Sequence, residues 1–124
     1  MINIWRPVIA GFLVLHGVLH AAIWIPPQQG SDLPNFGTQA SWLFAEVRPV
    51  VVTLALVAAS GFALAGVAYL MHLEAWASPG AVAAIASMAL VVATFTPWWS
   101  FAVVINAAIL YAAWQSATGQ SAGR

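Results

Sequence analysis

The chain has 124 residues, of which 63% are hydrophobic and only 5% charged, with three basic side chains balanced by three acidic ones. An ordinary soluble domain carries about 25% charged residues, and one of this size cannot hide so much apolar surface from water. This excludes a soluble globular protein, a disordered chain and a nucleic-acid binder, and points to a chain dissolved in a lipid bilayer, an integral membrane protein of one domain, residues 1–124. Cysteine is absent, so disulfides and thiolate sites are excluded.

A spanning helix needs about 20 apolar residues, so four spans with short links nearly fill the chain. Runs of alternating polar and apolar residues are missing. The backbone in lipid must satisfy its own hydrogen bonds, so the expected fold is all-α, a four-transmembrane-helix bundle. The first span covers about 5–25 and ends at Pro26–Pro27. It is expected to be retained rather than cleaved, because its apolar run is too long for a signal peptide and more spans follow. Residues 26–43 are rich in Pro, Gly, Gln and Ser, the marks of a loop. Phe36, Trp42 and Phe44 in and beside this loop predict a cap lying on one membrane face. The second span covers about 47–71, with Pro49 suited to a first helical turn. The third covers about 79–96, and Pro97 separates it from the fourth, about 98–116, before a polar tail expected to fray.

All seven tryptophans fall near span ends, where an amphipathic ring prefers to lie. Trp5, Trp76 and Trp114 form one belt; Trp24, Trp42, Trp98 and Trp99 form the other. Arg6 and Arg124 share the side of the termini, whereas Arg48 lies opposite. The positive-inside rule therefore places the termini in the cytoplasm of a cell (inner) membrane, by one basic residue. Small residues recur four apart: Gly61 and Ala65, Phe62 and Gly66, Ala59 and Ala63, Ala108 and Ala112. Such spacing lets helix backbones approach in lipid. Packing within the chain is favoured over a dimerisation face, since all four helices need neighbours.

The intramembrane polar residues carry whatever chemistry exists. His16 and His20 are four apart and share a helical face. They can clamp a metal ion, ligate a haem axially, or pass a proton to or hydrogen-bond a quinone-like ligand. Against these stands a neutral pair hydrogen-bonded to carbonyls or hydroxyls in the bundle. A metal would need more ligands, and the only carboxylates are Asp32, Glu46 and Glu74. Asn106, Ser87 and Ser60 lie near the same depth as His16, one per helix. The two serines are discounted, because hydroxyls bond their own helix carbonyls. Asn106 is expected to meet His16 or a ligand. Arg48 is expected to snorkel to headgroups; in the alternative, Glu46, Arg48, Thr53 and His20 form a polar mouth under the loop. His72 and Glu74 are expected to be solvated.

The opening segment R-P-V-I-A-G-F-L-V-L-H-G-V-L-H, from Arg6 to His20, resembles the first helix of DoxX-like small bacterial membrane proteins. Arg6, Gly11, Phe12, Gly17 and His20 carry the resemblance, with His20 where the family often has Lys. It implies a four-helix inner-membrane protein and a link to oxidoreductase partners. An accessory or scaffold component of a membrane assembly, which needs only apolar helices, small-residue faces and interfacial tryptophans, ranks first. A binding or redox-accessory protein holding a haem, metal ion, quinone or other apolar ligand at His16, His20 and Asn106 ranks second. A homodimeric small-molecule transporter ranks third, because no carboxylate lies inside a span. An enzyme ranks last, since no nucleophile–base pair can be assembled. The expected partners are the lipid bilayer and other membrane subunits or a second copy of the chain.

Overall fold

The computed structural model describes residues 4–26, 48–94 and 97–121. Four helices account for most of them: α1 (Trp5–Trp24), α2 (Arg48–Leu70), α3 (Ala77–Ala93) and α4 (Ser100–Ser121). Single 3-10 turns, Glu74–Trp76 and Pro97–Trp99, lead into α3 and α4. No strand occurs among the described residues, and all four helices are long and apolar enough to cross a membrane. The chain is thus an all-α four-helix bundle of the multi-pass membrane type. Beyond Pro26, the expected cap at 26–43 lies outside the described residues, as does the carboxylate of Glu46.

Proline punctuates the helices as its missing N–H dictates. Pro7, Pro49 and Pro79 all occupy first turns, where that group has no intrahelical partner. The end of α2 is sealed by His72, which adopts φ 61°, while Leu73 N–H reaches back to the Ala68 carbonyl at 2.9 Å. This left-handed cap is usually a glycine's place. At its far end α4 outruns its apolar stretch. Thr118 turns its hydroxyl onto the Trp114 carbonyl at 3.0 Å, so a polar residue continues the helix without an unpaired hydroxyl.

Consecutive helices pack on one another: α1 on α2, α2 on α3 and α3 on α4. Small residues permit this. A Cβ on Gly17 would lie 2.7 Å from the Ala59 carbonyl oxygen, and one on Gly66 would lie 2.8 Å from that of Ala10. A Cβ on Gly61 would meet Ala83 Cβ at 2.8 Å. The spacing noted at Gly61, Ala65 and Gly66 is therefore used inside the chain, whereas Ala108 and Ala112 on α4 remain exposed. The core has two levels. Leu13, Phe62, Ala83 and Ile109 form one; Trp24, Val51, Leu90 and Trp99 form the other. Leu15, Leu64, Val82 and Val104 face outward, as lipid-facing side chains do when the solvent is hydrocarbon.

Two arginines fasten α1 to α2 at opposite ends. Arg48, at the start of α2, donates from Nη2 to the Ile25 carbonyl at 2.9 Å, just past the end of α1. Arg6, near the start of α1, donates from Nη1 to the Tyr69 carbonyl near the end of α2 and lies 4.8 Å over the Tyr69 ring. Each cation meets the negative end of a helix dipole and the carbonyls left free there. Arg48 thus has a protein carbonyl as one partner, while its side chain stays exposed at the bundle end.

Candidate functional site

The inner edge of α1 carries Phe12, His16, His20 and Trp24, each four residues from the next. Their rings form a ladder. Phe12 and His16 stack at 5.7 Å, His16 and His20 meet edge-on at 4.7 Å, and His20 and Trp24 stack at 5.3 Å. Trp99 extends it from the 3-10 turn before α4, with its ring centroid 4.6 Å from that of Trp24. Trp24 and Trp99 are therefore buried within the bundle at their end of it. Trp24 donates its indole N–H to the Thr94 hydroxyl on α3 at 3.3 Å.

His20, Ser87 and Asn106 form a directed hydrogen-bond chain across three helices. A carbonyl only accepts, so the contact of His20 Nδ1 with the His16 carbonyl, 2.8 Å long, places the proton on Nδ1. In a neutral imidazole Nε2 is then an acceptor, and the Ser87 hydroxyl donates to it at 2.6 Å. Ser87 Oγ in turn accepts the amide N–H of Asn106 at 2.7 Å. Ser87 and Asn106 are both wholly buried.

Two buried polar atoms at this site lack a hydrogen-bond partner in the protein, His16 Nε2 and Asn106 Oδ1. The two side chains are close enough to interact, yet neither atom completes a bond of good geometry. His16 is held edge-on against Phe62, with centroids 4.7 Å apart. Both histidines line a cleft of about 50 Å³ between α1 and α4, walled by Leu19, Trp24, Trp99 and Phe101. This volume admits the edge of a ring or a small head group, not a haem macrocycle.

The expected site assembles in part. His16, His20 and Asn106 converge as the sequence predicts. Ser60 does not join them; it is exposed and bonds the Leu56 carbonyl at 2.7 Å, so α2 contributes Phe62 to this layer instead. Thr53 is exposed and closes on the Pro49 carbonyl at 2.8 Å, and Arg48 is turned to Ile25. Neither forms a polar mouth with His20, because each satisfies itself at a helix carbonyl nearby. The metal clamp expected of His16 and His20 also meets an obstacle: both ring nitrogens of His20 are engaged. Among the described residues no group of three His, Cys, Asp or Glu can hold a metal ion.

Ser87, placed in the polar layer by sequence but discounted with Ser60, is the link between His20 and Asn106. A signal existed, since it repeats with Gly80, Ala83, Ala84 and Val91 along the small-residue stripe that α3 buries. Ser60 falls off the corresponding stripe of α2, where Ala58, Gly61 and Ala65 are buried. Comparison with known proteins returns no match: no protein-family model, no curated protein and no solved structure is significantly similar to the chain.

Proposed function

We propose that this integral membrane protein is an accessory component that holds an apolar ligand with a small hydrogen-bonding head, of the quinone and quinol type, in the cleft between α1 and α4. The observation that carries the proposal is the unmet Nε2 of His16, a residue that lines that cleft, with the unmet Oδ1 of Asn106 buried next to it. Buried polar groups are nearly always hydrogen-bonded, and intramembrane polar groups mark function when they are not. A head-group oxygen accepts from His16 when Nε2 carries its proton, and a quinol hydroxyl donates to Asn106 Oδ1. The His20–Ser87–Asn106 chain orients that amide. The aromatic walls accept a flat ring edge, while the rest of such a molecule extends toward lipid. The resemblance of α1 to DoxX-like proteins, with their oxidoreductase partners, agrees with this role. We place the protein in the inner membrane with both termini cytoplasmic, on the balance of Arg6 and Arg124 against Arg48.

The test uses the purified protein in detergent. Trp24 and Trp99 border the cleft, so a short-chain quinone is expected to quench tryptophan fluorescence saturably. His16→Leu should weaken that binding about tenfold, the loss of one hydrogen bond to a buried group. Quenching that rises linearly without saturating, or that is unchanged in His16→Leu, would reject the proposal.

A further inference from the structure

At the end of the bundle opposite that cleft, the ends of α1, α2 and α4 and the turn before α3 surround a second cavity, of about 410 Å³ and mainly polar. Arg6, His72, Glu74 and Gln115 line it, with Tyr69 and Trp76 as aromatic walls. One hydrogen bond of Arg6 goes to the Tyr69 carbonyl, which leaves most of its five N–H groups for another acceptor. Glu74 is exposed at the same cavity. The cavity thus carries a cation and an anion on its lining, at the level of the Trp5 and Trp114 belt.

Two apolar grooves run along opposite sides of α1 from the same end of the bundle. One lies between α1 and α2, has about 400 Å³ and includes Pro7, Gly11 and Leu70, next in sequence to Arg6 and Tyr69 at its upper end. The other lies between α1 and α4, has about 260 Å³ and shares Trp76 with the polar cavity. Ile9, Phe12 and Ala108 line it. A polar pocket with an apolar groove on either side of α1, one sharing Trp76 with it and the other lined by the sequence neighbours of Arg6 and Tyr69, has the form of a two-tailed amphiphile.

We propose that this end of the bundle binds one diacyl phospholipid with a phosphoethanolamine headgroup. Its phosphate pairs with Arg6, its ammonium with Glu74, and its two acyl chains straddle α1 in the two grooves. Charge complementarity selects a zwitterion. An anionic headgroup such as phosphoglycerol satisfies Arg6 but leaves Glu74 facing an uncompensated phosphate. A primary ammonium also donates hydrogen bonds to the Glu74 carboxylate, which a quaternary ammonium cannot do.

Native mass spectrometry of the detergent-purified chain, mixed with equimolar phosphatidylethanolamine and phosphatidylglycerol of matched chains, tests this. The expected result is a single retained lipid with phosphatidylethanolamine favoured about fivefold, and a reversed preference in Glu74→Gln. Arg6→Gln should weaken both lipids, but Arg6 also caps α2, so a second variant separates binding from folding. A Cβ at Gly11 meets nothing within 4 Å, and Gly11 lines the α1–α2 groove, so Gly11→Leu adds its bulk to that groove. It should lower retention of the diacyl lipid about tenfold while a single-chain lysophospholipid still binds. Equal retention of both headgroups by the unmodified chain, several lipids bound without preference, or an unaffected Gly11→Leu would overturn the proposal.

Discussion

Ser87 and Ser60 are the same residue type on neighbouring helices and should behave very differently. Ser87 accepts from Asn106 and donates to His20, so its removal strands two buried polar groups at once. An unpaired buried group costs about 1–3 kcal/mol, although hydrogen bonds in membrane bundles average about 0.6 kcal/mol. Two stranded partners place Ser87→Ala at about 1–3 kcal/mol of destabilisation. Ser60→Ala should stay within about 0.5 kcal/mol, the norm for an exposed site. Reversible unfolding in mixed micelles measures both, and equal stabilities would mean that the Ser87 contacts contribute nothing. Thr94→Val is the companion at the other core level. It removes the acceptor of the Trp24 indole and should change tryptophan emission without unfolding the chain.

At the scale of whole helices, α1 and α2 approach as closely as their glycines allow. Gly17→Ala and Gly66→Ala push a methyl group against backbone oxygens that cannot retreat alone, and overpacking of this kind costs about 1–3 kcal/mol. Gly11→Ala enters open space and should be neutral or stabilising by about 0.5–1 kcal/mol, because glycine is a poor helix former. Thermal melts in detergent should separate the two groups; a Gly17→Ala protein as stable as Gly11→Ala would refute the close approach. The helices themselves were legible from apolar runs and from Pro7, Pro49, Pro79 and Pro97, because lipid leaves the backbone no alternative. The small-residue spacing was legible too. The partners of Arg6 and Arg48 were not, since each is a carbonyl brought near only when α1 and α2 pair, more than 20 residues away in sequence. The inward turn of Trp24 and Trp99 was hidden for a related reason: depth in the membrane follows from position along a helix, but the direction a ring faces depends on the neighbouring helix.

For the molecule as a whole, an even number of spans puts Gly119 and Trp5 on one side and Pro26 on the other. The chain has no cysteine, so single reporters can be placed without background. With the termini cytoplasmic, Pro26→Cys should react with a membrane-impermeant maleimide in intact cells, and Gly119→Cys should react only after lysis. The opposite pattern would invert the orientation. The convergence of His16, His20 and Asn106 was foreseeable from depth and polarity alone, yet Ser87, which joins two of them, required knowing which face of α3 is buried. The two arginine clasps also have a mechanical consequence. They grip opposite ends of α1, whose 20 residues measure about 30 Å, close to the thickness of the hydrocarbon layer. Sliding α1 past α2 by one turn, about 5.4 Å, would undo both clasps together. The hairpin therefore works as a ruler of fixed length, and in a thinner or thicker bilayer it would lean as one rigid plank rather than shear.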